Sequence, residues 1–319
     1  MVSSYINVDP SNSNKSRFLY KRYNNPYSTL SRDRKGKRRS MSMKLHKSLA
    51  IILAAVFFLL RTANQASGQE VEDEREFSYE RGSDIGPEHW GEIHREWATC
   101  GAGQMQSPID LANNQVRVVA GLSQLRRAYG PAKAAMRNRG HDIEIKWEEG
   151  GGGMWVNATY YVLRQAHWHS PSEHTINGSR YALELHLVHQ SRDNKTAVVG
   201  IVYTIGRPDS FITRMEEFIR RASDMGGEEE EVQLGIVDAS AISMGSSRNS
   251  EEYYRYMGSL TTPPCTEGVT WTIIKQARTI SLEQIQLLRE AVDNETNARP
   301  TQQTNNRTIA LFKPAKFHL

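Results

Sequence analysis

Residues 165–175 read Q-A-H-W-H-S-P-S-E-H-T, and residues 181–189 read Y-A-L-E-L-H-L-V-H. Both segments are typical of β-strands, in which side chains alternate between the two faces with a period of two. The pattern predicts that His167 and His169 share one face of the first strand and that His186 lies on one face of the second. If the strands are neighbours, three imidazole groups converge on one point.

Residues Ile176–Ser179, I-N-G-S, supply the turn chemistry that lets the two strands run back past each other. Three neutral nitrogen ligands suit zinc, and a three-ligand site leaves a fourth position for water. Gln165 and Glu184 each lie two residues before a histidine, on the same face. They are therefore suitable partners for the outer ring nitrogens. A single H-x-H pair is usually a surface feature, so the prediction depends on the third histidine being in phase.

The charge of the chain is divided unevenly along its 319 residues. Residues 1–68 hold 13 of the 40 Lys and Arg residues but 2 of the 36 Asp and Glu residues. The remainder therefore carries a net charge of −7, although the whole chain has a pI near 9. This distribution argues against a nucleic-acid partner for the folded part.

Residues 1–68 form a predicted presequence, followed by an acidic linker at 69–76. Residues 1–40 are polar and basic, which predicts disorder. Leu49–Leu60 is a run of twelve apolar residues that fits the hydrophobic region of a signal peptide, with cleavage near Gln69. A start at Met43 would give an ordinary secretory signal. The alternatives are an uncleaved membrane anchor, or a plastid transit region before a thylakoid-lumen signal.

Two cysteines and five glycosylation sequons bear on the compartment. Cys100 and Cys265 would form one disulfide in an oxidising compartment and remain buried thiols in a reducing one. N-x-S/T sequons favour the secretory route, because they are glycan acceptors in secreted proteins. They begin at Asn157, Asn177, Asn194, Asn294 and Asn306.

Short alternating runs separated by Gly, Asn and Pro follow residue 116 and predict a β-rich domain with a large sheet. Examples are Asp142–Trp147, Thr159–Leu163 and Ala197–Thr204. Two helices are predicted, at Ser210–Met225 and Ser281–Asp293. The second begins with the capping-box pattern S-L-E-Q.

Three motifs resemble the α-class carbonic anhydrases of plant and algal type. They are H-W-H-S-P-S-E-H-T-I-N-G at 167–178, E-L-H-L-V-H at 184–189 and G-S-L-T-T-P-P-C-T-E-G-V-T-W at 258–271. The resemblance runs from about Phe77 to Phe312. It implies a mainly β (α+β) single domain, residues 77–319, around a large twisted, mostly antiparallel sheet of about ten strands with a few peripheral helices.

The resemblance also implies a function, which is the reversible hydration of CO2 to bicarbonate and a proton by a zinc lyase. Zinc would be held by His167, His169 and His186, a zinc hydroxide would attack CO2, and His141 would carry the proton to solvent. Glu173 and Thr261 match the family's pair that orients the hydroxide. Position 144 is a Glu where many relatives carry an amide, so the water network there is expected to differ.

Further roles follow from the same resemblance. Tyr79 corresponds to a tyrosine that orders water, and Cys100 and Cys265 correspond to a disulfide that holds the Thr261 loop. The bonds before Pro108 and Pro264 are expected to be cis. The substrate pocket would be lined by Thr261, Thr262, Val188, Val198, Leu260, Val269 and Trp271.

A second hypothesis is a catalytically weak, secreted binding or storage protein on the same fold. Relatives of that kind usually lose one or more of the ligand histidines, whereas this chain has all three. A zinc hydrolase of esters or peptides is a third, weaker hypothesis, because the sequence has no H-E-x-x-H helix.

Overall fold

The structure is a computed structural model that describes residues 76–119, 121–225, 230–243, 251–293 and 296–314. The predicted presequence lies outside the described residues, as does the linker except for Glu76. Among the helices in these ranges, none combines the length and apolar character needed to cross a bilayer.

The described residues form four α-helices and fourteen strands. The helices are α1 (Trp90–Ile93), α2 (Thr99–Ala102), α3 (Ser210–Met225) and α4 (Leu282–Glu290). Short 3₁₀ helices cover Arg95–Trp97 and Ala239–Ser243. The strands are β1 (Val116–Val118), β2 (Arg126–Tyr129), β3 (Pro131–Asn138), β4 (Ile143–Trp147), β5 (Gly152–Val156), β6 (Thr159–His169), β7 (Thr175–Ile176), β8 (Ser179–Arg180), β9 (Leu183–Ser191), β10 (Thr196–Ile205), β11 (Glu231–Asp238), β12 (Tyr253–Ser259), β13 (Glu267–Ile280) and β14 (Ile309–Phe312).

Twelve of these strands form one sheet, which confirms the predicted fold class. Ten strands lie in the order β1-β14-β12-β13-β10-β9-β6-β4-β3-β11, and β5 pairs with β6 and carries β2 off this path. Only the β1–β14 and β10–β13 pairs are parallel among the described strands. The sheet is therefore mostly antiparallel, with two strands more than expected.

The two histidine-bearing segments are β6 and β9, and they are antiparallel neighbours as predicted. The turn at Asn177–Gly178 closes a separate two-stranded hairpin of β7 and β8, so it does not join the long strands directly. Asn177 and Gly178 have φ values of 51° and 74°, the left-handed conformation that a two-residue hairpin loop needs.

The strands separate two apolar clusters, because residues on β6, β9 and β10 alternate between them. Trp168 and Leu187 belong to the larger cluster, which also receives the apolar faces of α3 and α4. Val198 and Trp271 belong to the smaller cluster. The three histidines share the face of the smaller cluster, since His186 lies between Leu185 and Leu187 in sequence and points away from both.

Both predicted helices are present. Helix α3 has the predicted bounds and begins where Asp209 Oδ1 accepts hydrogen bonds from the backbone N–H groups of Phe211 and Ile212. Helix α4 is capped by Ser281, whose hydroxyl accepts from the Gln284 backbone N–H. The Gln284 side chain does not complete the box, because it bonds to the backbone of Asp209 instead.

The segment before the sheet packs as a small aromatic lobe, which contains Phe77, Tyr79, Trp90 and Trp97. Its Cys100 forms a disulfide with Cys265, as the resemblance implied. The expected cis bonds before Pro108 and Pro264 are present, together with a third before Pro171 that was not predicted.

Candidate metal centre and active site

The three predicted ligand histidines meet on one face of the sheet. His167 on β6 lies directly opposite His186 on β9, and His169 lies opposite Glu184. Nδ1 of His186 is 3.3 Å from Nε2 of His167, and the three histidines present ring nitrogens that all lie within 4.8 Å of one another. All three side chains are buried. The alternation of the strands therefore gathers the imidazoles as the sequence predicted.

Each histidine uses its other ring nitrogen to donate to an acceptor. Nδ1 of His167 is 2.7 Å from Oε1 of Gln165, and Nδ1 of His169 is 2.7 Å from the Asn297 carbonyl oxygen. Nε2 of His186 is 3.0 Å from Oε1 of Glu184. Because the outer nitrogens carry the protons, the inner nitrogens present lone pairs.

The donor set fits a zinc ion. Burial lowers the pKa of His167, His169 and His186, so the rings are neutral, which is the form that binds metal. Nε2 of His169 is buried and makes no hydrogen bond within the described part of the chain. Three inward lone pairs with satisfied outer nitrogens are the arrangement of a three-histidine zinc site.

A second group of potential ligands, His174, Glu184 and His186, lies close by but is a hydrogen-bond network. Glu184 accepts from Nδ1 of His174 at 2.7 Å as well as from His186. Nε2 of His174 is 2.7 Å from the Tyr256 hydroxyl. These nitrogens are committed to hydrogen bonds, so the group does not offer free lone pairs to a metal. His189, which is out of phase with His186, points away and bonds to Tyr129.

Glu173 lies beside the histidines. Its Oε2 is 3.7 Å from Nε2 of His169, and its Oε1 accepts from the Arg299 backbone N–H at 2.9 Å. Burial raises the pKa of Glu173 to about 7, although His186 and the nearby side chain of Thr261 oppose that shift.

The predicted substrate-contacting residues form a mostly apolar surface on the same side of the sheet. Val198, Leu260, Val269 and Trp271 are buried in one cluster, and Val188 packs against it half-buried. The Trp271 ring lies 4.8 Å from the His186 ring, measured between centroids. Thr261 and Thr262 follow Leu260 directly and are also buried.

His141, in the loop between β3 and β4, lies against Tyr79 of the aromatic lobe. Their ring centroids are 5.8 Å apart, and Phe77 covers the same imidazole at 5.7 Å. His141 is only 8% exposed. It lies in the four-residue loop at 139–142 between β3 and β4, where Gly140 has a φ of 86°.

Three polar contacts around the site do not follow from local sequence patterns. The family resemblance implies a structural role for Asn297 near the histidines, and its backbone carbonyl oxygen orients His169, which is 128 residues away. Asp142 is buried next to His141 and pairs with Arg139. Glu144 lies opposite His167 in the β4–β6 register and pairs with Arg137 at 3.2 Å. The R-x-x-D spacing around His141 was the available signal for the second of these.

The chain is similar in sequence to proteins of one known family. The profile of the eukaryotic-type carbonic anhydrase family matches residues 85–313. Alpha carbonic anhydrase 7 of Arabidopsis thaliana is 49% identical over 267 residues, which are 83% of this chain and 95% of that protein. Dioscorin dioA3 of Dioscorea japonica is 44% identical over 248 residues, or 77% of this chain and 89% of that protein.

Two solved structures share the fold. A dioscorin complexed with ascorbate superposes with a TM-score of 0.71 at 43% identity, covering 76% of this chain and all of that one. The α-carbonic anhydrase of Thermovibrio ammonificans, in complex with the inhibitor sulfanilamide, gives 0.66 at 31% identity with the same coverage. With a family profile matching more than half of its length, this chain belongs to the eukaryotic-type, or alpha, carbonic anhydrase family.

Proposed function

We propose that this protein is a zinc-dependent carbonic anhydrase that reversibly converts CO2 and water to bicarbonate and a proton. The observation that carries the proposal is the arrangement of His167, His169 and His186, whose inner nitrogens converge while every outer nitrogen donates to an acceptor. Nε2 of the first two histidines and Nδ1 of His186 would hold the ion. Bound zinc would supply Lewis-acid chemistry, lowering the pKa of a coordinated water to about 7, as it does in carbonic anhydrase.

Thr261 and Glu173 would orient the water that attacks CO2. A hydroxyl has one proton to donate, so a Thr261 hydroxyl that donates to the Glu173 carboxylate can only accept a second hydrogen bond. This arrangement fixes which way the attacking oxygen points its lone pair. A cation held by the neighbouring histidines would favour the ionised form of Glu173, which is the form that accepts from Thr261.

The apolar residues beside the histidines suit a small, uncharged substrate. Val198, Leu260 and Trp271 offer no hydrogen-bonding atoms toward CO2, apart from the Trp271 indole N–H, which donates to the Ser259 carbonyl oxygen. Bicarbonate is charged, so an apolar surface holds it less well than it holds CO2. Water can therefore displace bicarbonate readily. His141 would then take up the released proton and pass it to solvent.

The test combines zinc analysis with stopped-flow CO2 hydration on the purified protein. We expect about one zinc per chain, as one three-histidine site predicts, and activity that sulfanilamide inhibits. The His186→Ala variant should lose both zinc and activity, while His89→Ala, at an exposed position paired with Glu92, should keep both. A zinc-free wild-type protein, or a His186→Ala variant that still hydrates CO2, would refute the proposal.

A small-molecule binding protein is the second candidate function. It is favoured by one finding, the likeness to a dioscorin that binds ascorbate. The two candidates differ in the same assay, because a binding protein would retain ascorbate and show no CO2 hydration even with zinc bound. Isothermal titration with ascorbate, run beside the CO2 assay, separates them.

Secretion is the localisation that we infer, with the plastid lumen as the alternative. The Cys100–Cys265 disulfide supports an oxidising compartment. Four sequon asparagines, at 157, 177, 194 and 306, are exposed in turns with positive φ and are accessible to glycosylation. Asn294 lies outside the described residues. Mass spectrometry of the mature protein, before and after glycosidase treatment, tests both the glycans and the predicted cleavage near Gln69.

A further inference from the structure

A small cavity lies against the strand that carries two of the three histidines. Its volume of about 10 Å³ is room for the centre of one water molecule. Trp168, which lies between His167 and His169 in β6, lines this cavity with its side chain in the larger apolar cluster. The loop at 139–142, helix α4 and the segment around Asn297 supply the other walls. The cavity is therefore a meeting point of four segments that support the histidine site.

The indole of Trp168 has no acceptor among the residues that the structure describes. Its Nε1 is buried and makes no hydrogen bond to them, and the residue is 3% exposed. The buried indoles of Trp90, Trp147 and Trp271 differ, since each N–H donates to a backbone carbonyl oxygen. An unpaired buried N–H is costly, because folding removes the water to which it bonds in the unfolded chain. The Trp168 N–H therefore needs an acceptor in the cavity.

Two of the polar groups that line the cavity are already committed to other partners. Oγ of Ser170 accepts from Nε of Arg289 at 2.9 Å. The Asn297 side chain bonds to three backbone groups, two through its Nδ2 and one through its Oδ1. The carboxylate of Asp142 is the remaining acceptor on the cavity wall.

Asp142 has lone pairs to spare. An ionised carboxylate offers about four lone-pair sites, and Arg139 donates to one site on each oxygen. Burial alone would raise the pKa of Asp142, but the Arg139 guanidinium holds that pKa well below its usual range. Asp142 is 1% exposed, so bulk solvent does not fill the other sites. A buried donor and a buried anionic acceptor thus line one cavity of the size of a water molecule.

We propose that this cavity binds one water molecule, which accepts a hydrogen bond from Nε1 of Trp168 and donates one to the carboxylate of Asp142. A buried water usually makes two to four hydrogen bonds, and these two satisfy that requirement. The water joins β6 to the loop at 139–142. Asn297, whose backbone carbonyl oxygen accepts from Nδ1 of His169, lines the same cavity. The site is therefore part of the support behind the three histidines.

NMR of the wild-type protein labelled with ¹⁵N tests the proposal, with Trp168→Phe used to assign the indole resonance. We expect a cross-peak between the Trp168 indole proton and a water that stays bound for longer than the protein takes to tumble. Trp147 is the matched control, because its indole N–H donates to the Val237 carbonyl oxygen at 3.3 Å and should give no such cross-peak. A Trp168 indole proton that shows no contact with a bound water would overturn the proposal.

A high-resolution crystal structure of the wild type is a second test that needs no variant. We expect density for a single water within about 3.2 Å of both Nε1 of Trp168 and a carboxylate oxygen of Asp142. An indole N–H bonded directly to a protein group, or a cavity filled by a side chain, would contradict the assignment. Neither measurement depends on zinc or on CO2 hydration, so the proposed function stands or falls separately.

Discussion

Two buried glutamates beside the same histidines have pKa values shifted in opposite directions, and their hydrogen-bond partners explain why. Glu184 accepts from His174 and His186 and from the backbone N–H groups of Glu173 and His174. Burial alone would raise the pKa of Glu184, but the two histidines hold it well below its usual range. Glu173 has fewer donors, and burial raises its pKa to about 7. The Glu184 carboxylate is thus a permanent acceptor for His186, whereas the ionisation of Glu173 responds to charge placed beside it.

His189 gives a residue-scale prediction about stability and pH. Its Nδ1 donates to the Ala197 carbonyl oxygen at 3.1 Å, and its Nε2 accepts from the Tyr129 hydroxyl at 2.8 Å. Burial lowers the pKa of His189 from 6.5 to about 3. Between these values the unfolded chain binds a proton that the folded chain does not. Stability contributed by the neutral ring is therefore present above about pH 6.5 and is lost as the pH falls toward 3.

The measurement is urea unfolding of wild type and His189→Gln at pH 6, 5 and 4, with a chelator present so that zinc binding does not contribute. Glutamine can donate to Ala197 and accept from Tyr129 without titrating. The free energy of unfolding of the wild type should fall by about 1.4 kcal/mol more per pH unit than that of the variant. Parallel pH dependences would contradict the assignment of a neutral, buried His189.

Strand β10 has a glycine at a position where a side chain would meet the hydrogen-bond network of the three histidines. Gly200 lies opposite His186 in the β9–β10 register. A Cβ atom at this position would lie 2.8 Å from Oε1 of Glu184, the oxygen that accepts from His186, and 2.5 Å from the end of Ile273. The missing side chain therefore leaves the space that the Glu184 carboxylate occupies.

We expect Gly200→Ala to displace the Glu184 carboxylate and weaken zinc binding by about 10- to 100-fold, the usual cost of losing a partner of a ligand histidine. Competition with a chromophoric chelator measures the zinc affinity. Gly130→Ala is the matched control, because its added methyl group meets nothing within 4 Å. Equal zinc affinities for the two variants would show that Glu184 accommodates the methyl group without releasing His186.

Local patterns in the sequence predicted the elements that follow a simple period. The alternation in β6 and β9 predicted both strands and the shared face of their histidines, and α3 has the bounds expected before Gly226. Local patterns could not predict contacts between residues that lie far apart in the sequence. The Gln284 side chain bonds to Asp209, 75 residues away, and Tyr129 reaches His189 across 60 residues. Nothing local to either position indicates the partner.

At the scale of the whole molecule, Arg299 joins the aromatic lobe to Glu173 beside the three histidines. Its guanidinium donates to the carbonyl oxygens of Cys100 and Ser107 and stacks on Trp90, 5.4 Å from the ring centroid. Its backbone N–H donates to Glu173. A buried arginine thus connects the disulfide-bonded lobe to the carboxylate that would orient the substrate water.

The disulfide closes a loop of 165 residues between the lobe and the Thr261 loop. In the chain-entropy description, such a crosslink stabilises the folded state by about 5 kcal/mol, because it restricts the unfolded chain. The Cys265 N–H also donates to the Thr262 carbonyl oxygen at 2.8 Å, so the crosslink holds the Thr261 loop as well.

We therefore expect the Cys100→Ser/Cys265→Ser variant to unfold at lower urea concentration than the wild type, with a free energy of unfolding lower by up to about 5 kcal/mol. Because the histidines proposed to hold zinc belong to β6 and β9, the zinc affinity of the folded variant should stay within a few-fold of wild type. CO2 hydration should fall more than zinc affinity, since the Thr261 loop loses its tether. The wild type treated with a reductant is the control, and it should match the variant in both measurements. Unfolding curves that coincide with those of the untreated wild type would mean that Arg299 and the aromatic packing hold the lobe without the crosslink.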